Sequence, residues 1–505
     1  MKKLPIGIQT FSEIINEDYL YIDKTGLAYS LIENYKYVFL LRPRQFGKSL
    51  FLDTLKNIFE GNRELFRGLL IEDQWNWEVS YPVMKISFGG GINSSETFDN
   101  NLFSILKDNQ ERLGVTCEEE KDPDHCFAEL IEKACQKYKR RVVVLIDDCD
   151  KPISDNIENI PEALIIQSRM HAFQSTIKDN DEYLYFVLLA GASNYAKPTC
   201  FGGLNNLEDI SQTPDFAALC GYTQLDLETS FAPYLEGVDM EQVNRWYNGY
   251  NFFGEKVYNP CDILLFIKNN CQFNNYWFEA GRSEFLIKLL LENHYFIPWL
   301  DDLCVNSSSI NNFDIKPLSL ETMLFHSGYL TVKRLIRDEM ETVYDLGFPN
   351  MEVQTSFNNG ILQLMINPLD REPICLEMLA IMNTGNVERL EEVVKRLFAS
   401  ITWNNFTNND IERFEGLYAS VLFACFASIG LTIISEDVFN RGRINLTLQV
   451  GGRTILVEFK VTDGDPLEQI KRMKYYEKYS GERYLIGIVF EPKTRTVSKF
   501  EWEKL

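Results

Sequence analysis

Phosphate chemistry calls for backbone N–H groups and a cation facing the anion, a hydroxyl and a carboxylate for magnesium, and a second carboxylate near the attacking water. The run Arg42-Pro-Arg-Gln-Phe-Gly-Lys-Ser49 offers the first of these, directly after the apolar run Tyr37-Val-Phe-Leu-Leu41. A strand, a tight loop and a helix start in that order would turn the N–H groups around Gly47 toward a phosphate. Lys48 would then reach the terminal phosphates of a nucleotide, and the Ser49 hydroxyl would ligate Mg. Arg42 stands where the usual GxxxxGK[ST] pattern has its first Gly, so a basic turn before a helix is the competing reading. Farther along, Arg141-Val-Val-Val-Leu-Ile-Asp-Asp148 is an apolar strand ending in two carboxylates. Asp147 is placed to hold the Mg shell and Asp148 to orient or deprotonate the water. A third run ends at Ala190-Gly-Ala-Ser-Asn194, where Ser193 or Asn194 would sense the terminal phosphate, although these residues also make a good turn.

A second set lies near the C-terminus. Metal-dependent phosphodiester hydrolysis uses acidic ligands around Mg and a lysine near the attacking water. In Arg443-Ile-Asn-Leu-Thr-Leu-Gln-Val450, the residues Ile444, Leu446, Leu448 and Val450 alternate with Asn445, Thr447 and Gln449. The following run, Thr454-Ile-Leu-Val-Glu-Phe-Lys-Val461, puts Glu458 and Lys460 on one face. A hairpin around Gly451-Gly452 would gather Asn445 and Glu458 as metal ligands, with Glu458 and Lys460 as the catalytic pair. The competing reading is an ion pair on a solvated strand face.

These residues need elements to hold them. Strand-like runs at Tyr37–Leu41, Val83–Phe88, Arg141–Ile146 and Tyr185–Ala190 alternate with helical stretches, which predicts a parallel α/β sheet with crossover helices over residues 1–228. Residues 229–370 read as a helical lid and connecting region; Trp246, Tyr247, Tyr250 and Trp277 there would fill a helical core or stack on a base. From 371 to 505, a long helical pattern up to Ser428 precedes three short strands, a helix near Pro466 to Tyr479 and a final strand Tyr484–Phe490.

Bulk properties narrow the function. The 505 residues are 45% apolar and 24% charged, as in a globular protein with several cores. The net charge of −23 opposes constitutive binding to a phosphate backbone, and nearly all of it lies before Arg371, so DNA or RNA is better tolerated by the C-terminal part. The eleven cysteines have no CxxC pair or regular spacing and read as reduced, mostly buried thiols. With no signal-peptide pattern and no spanning apolar run, a cytoplasmic protein without membrane contact is expected.

Several runs together carry a family resemblance: Tyr21-Ile-Asp-Lys-Thr25, the Arg42–Ser49 loop, Leu145-Ile-Asp-Asp-Cys-Asp-Lys-Pro152, Gly203-Leu-Asn-Asn-Leu207, Cys220-Gly-Tyr222, Trp246-Tyr-Asn-Gly-Tyr250 and Tyr258-Asn-Pro260. The chain resembles the bacterial AAA-ATPase-like proteins fused to a PD-(D/E)XK nuclease-like domain. That resemblance implies a P-loop domain with a helical lid followed by a restriction-endonuclease-like domain, and a site of Gly47, Lys48, Ser49, Asp147, Asp148 and Asn194 for Mg-ATP. It also implies a nuclease set of Glu458 and Lys460, with Glu415, Gln469 and Lys474 at accessory positions. Departures are Gln45 for Arg, Asp148 for Glu, Cys149 for Tyr, Asn194 for a basic residue, and Asn445 for the Asp of the nuclease pattern. A shorter carboxylate at Asp148 favours binding over turnover, and an amide at Asn445 weakens a hard-cation site. The expectation is a slow ATPase coupled to a nucleic-acid-engaging domain, with a catalytically inactive nucleotide-gated module as the alternative; a homo-oligomer is compatible with both.

Overall fold

The computed structural model describes residues 1–118, 122–193, 197, 202, 204, 206–276, 283–293, 295–301, 303–310, 319–337, 342–401, 415–439, 442–491 and 496–505. Two compact units form: Met1–Asn274 with Asn306–Val332, and Asn275–Val305 with Lys333–Leu505.

The first unit is built on a parallel sheet of β1 (Tyr37–Leu41), β2 (Val83–Ser87), β3 (Val142–Asp147), β4 (Leu184–Gly191) and β5 (Glu208–Asp209), in the order β2-β3-β4-β1-β5. Strands β1 and β3 are buried along their whole length, which is why their sequences are unbroken apolar runs rather than alternating ones. Helices Ser95–Leu113, Pro123–Tyr138 and Ile160–Asp179 cover one face, with Phe98, Phe127 and Phe173 packed in the core against Phe39, Val144 and Leu189. Because β4 lies between β1 and β3, three strand ends meet at one edge: Leu41, Asp147 and Gly191. In an open parallel sheet, that carboxyl edge is where ligands bind.

Helices Gln224–Thr229, Met240–Tyr247 and Pro260–Lys268 follow β5. Tyr247 and Tyr250 are fully buried, so they fill the core of this helical region rather than stand ready to stack on a base, and Trp246 packs on Phe273; Trp277 lies outside the described residues. The motif Tyr21–Thr25 is tied here as well, since Lys24 pairs with Asp226 at 2.7 Å while Asp23 accepts the Thr25 N–H. One expectation needs correction. Cys117 and Cys126 form a disulfide, because the turn after helix Ser95–Leu113 brings their Cα atoms to 5.2 Å, whereas eight other cysteines among the described residues are free thiols.

β6 (Leu303–Asn306), β7 (Thr331–Arg337) and β8 (Thr342–Gly347) form a small sheet in the order β6-β8-β7; β8 and most of β6 and β7 belong to the second unit, and the chain changes unit within β6, at Asn306, and within β7, after Val332. Helical periodicity had not separated these strands from the stretch around them. The second unit's larger sheet has β9 (Thr432–Phe439), β10 (Gly442–Val450), β11 (Arg453–Val461), β12 (Glu482–Glu491) and β13 (Thr496–Lys504), in the order β13-β12-β11-β10-β9. β11 and β12 run parallel, joined by helix Pro466–Met473, and the other pairs are antiparallel. The hairpin expected around Gly451-Gly452 forms, with Val450 opposite Arg453 and Leu446 opposite Val457. Alternation fails at one end: Ile444 joins Leu456, Leu467, Ile470, Tyr475 and Leu485 in a core, although Leu456 faces Thr447 across the strands. Among the described residues, no helix is long and apolar enough to cross a membrane.

Candidate functional site

The loop after β1 takes its shape from two left-handed residues, Gln45 (φ 66°) and Gly47 (φ 86°), the latter capping helix Lys48–Phe59. Open space surrounds a Cβ built at Gly47, so the backbone angle, not crowding, is what calls for glycine. Phe46 between them is buried and meets Tyr250 edge-on at 4.8 Å, which anchors the loop in the helical region.

Arg42 turns away from the loop. Its guanidinium donates to the carbonyls of Leu41, Ser211 and Phe216, each at 2.8 Å, and lies 3.9 Å over the Phe252 ring. Burial pulls its pKa down to about 10, which leaves it cationic at neutral pH. The missing first glycine therefore costs the loop nothing in space. Lys48 is buried at the loop mouth, where its ammonium donates to the Arg42 and Pro43 carbonyls at 3.0 and 3.1 Å.

Opposite stand the carboxylates. Asp147 ends β3 and accepts the Asp148 N–H, and Asp148 itself has a left-handed backbone (φ 52°). Burial, then the neighbouring Asp147 charge, raises the Asp148 pKa above the usual carboxylate range against the pull of Lys48. Asp150 accepts the N–H groups of Ala192 and Ser193 and the Ser193 hydroxyl. Ser193 is thus spoken for, and Asn194 lies outside the described residues.

A cavity of about 500 Å³ opens here, lined on the phosphate side by Gln45, Gly47, Lys48, Ser49, Asp148 and Asp150. Its far side is formed by the N-terminal segment at Ile6–Gln9 together with Tyr222, Pro260 and Leu264. That segment is pinned to the loop's own helix, since Asp53 accepts the Phe11 N–H at 2.9 Å. Sequence reasoning missed both Asp150 and the N-terminal segment. Asp150 had a signal, an acid three residues after Asp147; Ile6–Gln9 had none, because an extended wall carries no periodicity.

The residues fit a nucleoside triphosphate with its cation: the volume suits such a ligand, the loop and helix start present donors, and Lys48 faces the carboxylates. Gln45 Oε1 is buried without a hydrogen-bond partner at the same wall, an acceptor for a ligand donor.

In the second unit the structure gathers Asn445, Glu458, Lys460 and Gln469. Glu458 is buried; its Oε1 accepts from Gln469 and from Lys460 (3.4 Å), and its Oε2 accepts the Asn445 N–H at 3.2 Å. The Asn445 amide oxygen accepts the Phe459 N–H at 3.0 Å. Lys474 instead ends its helix and pairs with Glu477 at 3.3 Å, while the side chain of Glu415 lies outside the described residues. A second cluster forms one strand away, where buried Asp437 accepts from Thr447, Lys478 and Tyr479. Among the described residues, no group of three or more His, Cys, Asp or Glu side chains could hold a metal ion. The Glu458 cluster does not fit a divalent cation as it stands: its one carboxylate is engaged by donors and its amide oxygen by the backbone.

Comparison with known proteins agrees with this division. Residues 5–201 match the family described as predicted AAA-ATPase, and residues 413–500 match the PD-(D/E)XK nuclease superfamily. An uncharacterized protein in the vnfD 5′ region of Azotobacter chroococcum mcd 1 is 41% identical over 514 residues, covering 100% of this chain and 99% of its own length. Among solved structures, the ORC1 protein of Aeropyrum pernix in complex with DNA aligns over 69% of this chain and 96% of its own at 10% identity, with a TM-score of 0.28, too low to carry an argument. A three-strand convergence behind a glycine-lysine-serine loop, a nuclease-type sheet and a full-length relative lead to one conclusion: the chain belongs to the family of AAA-ATPase-like proteins fused to a C-terminal PD-(D/E)XK nuclease superfamily domain.

Proposed function

We propose that the first unit binds ATP with Mg in the cavity before Lys48 and hydrolyses it slowly, and that nucleotide state governs a C-terminal domain that engages DNA or RNA. The observation carrying this reading is that Lys48, Ser49 and Asp148 line one cavity of about 500 Å³ at the convergent ends of β1, β3 and β4. Gly47 and the start of its helix would cradle phosphate with N–H groups, and Lys48 would exchange its two carbonyl partners for phosphate oxygens. Ser49 and Asp147 would hold Mg, which when bound supplies positive charge against the phosphates. Asp148, with its pKa raised, would take up the proton of the attacking water, and Asn194 would face the terminal phosphate.

For the C-terminal centre, the engagement of both Glu458 oxygens and the Asn445 amide favours the second reading, a nucleotide-gated binding module whose Glu458 and Lys460 are a remnant of a catalytic pair. We place the protein in the bacterial cytoplasm, away from membranes, in keeping with its Azotobacter relative.

Calorimetry of Mg-ATP binding to the full chain and to Lys48→Ala, with phosphate release followed on the same samples, tests the assignment. Binding should weaken roughly tenfold to a hundredfold in Lys48→Ala, as loss of a hydrogen-bonded cation implies. Equal binding by both proteins would place the nucleotide elsewhere, and no binding by either would remove it.

A further inference from the structure

Lys151 follows the carboxylates at the end of β3, and none of the phosphate chemistry above uses it. It lines the same cavity as Lys48, Ser49 and Asp148. Its backbone is fixed there: the Lys151 N–H donates to the Asp148 carbonyl at 3.0 Å, and the Lys151 carbonyl accepts the Asp155 N–H at 2.9 Å. The side chain is held as well. Nζ donates to Asp155 Oδ2 at 2.5 Å, with the Lys151 side chain 28% exposed and that of Asp155 only 8%. Its charge reaches the cavity: burial and then Asp147 raise the Asp148 pKa, and Lys48 and Lys151 both pull against them. An ammonium carries three N–H donors, so one carboxylate partner leaves capacity for a second acceptor. A cation already steadied by a buried carboxylate also loses less freedom when a ligand arrives.

The wall has a sign. Its charged residues are Arg44, Lys48 and Lys151 against Asp148 and Asp150, in a chain whose net charge is −23. Asp150 spends its carboxylate on the Ala192 and Ser193 donors, and the loop residue Gln45 brings no charge. A local excess of cations in an acidic protein suits an anionic ligand.

We propose that Lys151 is a second phosphate-binding cation of this site: held by Asp155, it gives its remaining N–H groups to the phosphates of the nucleotide, along with Lys48. This rests on the nucleotide assignment above. The competing role is an ion pair that only stiffens the turn, and the two make different predictions.

The test needs no turnover. Dissociation constants for a non-hydrolysable Mg-ATP analogue are measured by calorimetry on the full chain, Lys151→Met, Lys151→Arg and Asp155→Asn, with melting temperatures alongside and Lys48→Ala as the reference for the site. Lys151→Met keeps the stem and removes the charge; it should weaken the analogue about tenfold, as loss of a charge-assisted contact implies. Lys151→Arg should restore binding to within about threefold. Asp155→Asn keeps the cation and loosens its anchor, so it should weaken binding by less than Lys151→Met does. An unchanged affinity in Lys151→Met overturns the proposal, as does Lys151→Arg binding as poorly as Lys151→Met. Equal losses in Lys151→Met and Asp155→Asn, with equally lowered melting temperatures, would leave only the ion pair and overturn it too. Normal weakening in Lys48→Ala beside an unaffected Lys151→Met would remove this role alone, whereas no binding by the unaltered protein would mean that the nucleotide assignment itself has failed.

Discussion

Asp148 keeps a carboxylate in a left-handed backbone, half buried and beside a second acid, and its pKa is raised as a result. The sign of the consequence follows from proton uptake. The folded state holds the Asp148 proton to higher pH than the unfolded chain does, so stability falls as pH rises from the ordinary carboxyl value through the raised one. Above that window the wild type carries the full penalty. Asp148→Asn should therefore melt higher than wild type at pH 8, with the gap closing on acidification, and asparagine tolerates the left-handed angle as well. Hydrolysis should be lost in the same variant. A melting temperature unchanged or lowered at all pH values would contradict this account. Residue types at this scale were largely readable in advance, because Gly47, Lys48, Ser49, Asp147 and Asp148 sit in short local patterns. Arg42 was not: its partners Ser211 and Phe216 are remote in sequence, and a guanidinium that folds back under its own strand looks, in one dimension, like a basic loop residue.

Among elements, helix Pro466–Met473 shows how closely the second unit is built. Gly487 on β12 pairs with Glu458 on β11, and a Cβ there would lie 2.6 Å from the Leu467 nitrogen and 2.9 Å from its Cβ. Backbone cannot yield as a side-chain tip can. Gly487→Ala should force this helix outward, cost about 1–3 kcal/mol, and draw Gln469 away from Glu458. A lowered denaturant midpoint with faster amide exchange in β12 is the expected reading, and an unchanged midpoint would count against tight packing. The parallel strands of the first sheet were legible because burial on both faces leaves an unbroken apolar run. β13, Thr-Val-Ser-Lys-Phe-Glu-Trp-Glu-Lys504, was not foreseen: among the described residues it pairs with β12 alone, at the end of the sheet, and it is too polar to stand out. Strict alternation on β10 misplaced Ile444, since Asn445 spends its N–H and amide oxygen on Glu458 and Phe459 rather than in the regular ladder.

At the scale of the whole molecule, two units with separate cores should not unfold as one. Calorimetric melting is expected to show two transitions, with Mg-ATP moving only the one that belongs to Met1–Asn274 and Asn306–Val332; saturation at about a hundred times Kd adds roughly 2.7 kcal/mol. A single transition, or an equal shift of both, would contradict independent cores. Charge asymmetry was visible in composition alone, but the path of the chain between units was not, because no local pattern marks a return.

That path passes from the first unit to the second after Asn274, back at Asn306, and out again after Val332. On a ribosome, the first unit stays incomplete until its late segment, with helix Leu320–His326, has left the exit tunnel, while Asn275–Val305 waits still longer for its partners. A polypeptide released at Asn274 would carry the entire glycine-lysine-serine loop and yet lack part of the body that loop was shaped to sit in, so premature termination there should yield a target for proteolysis rather than a free-standing nucleotide binder.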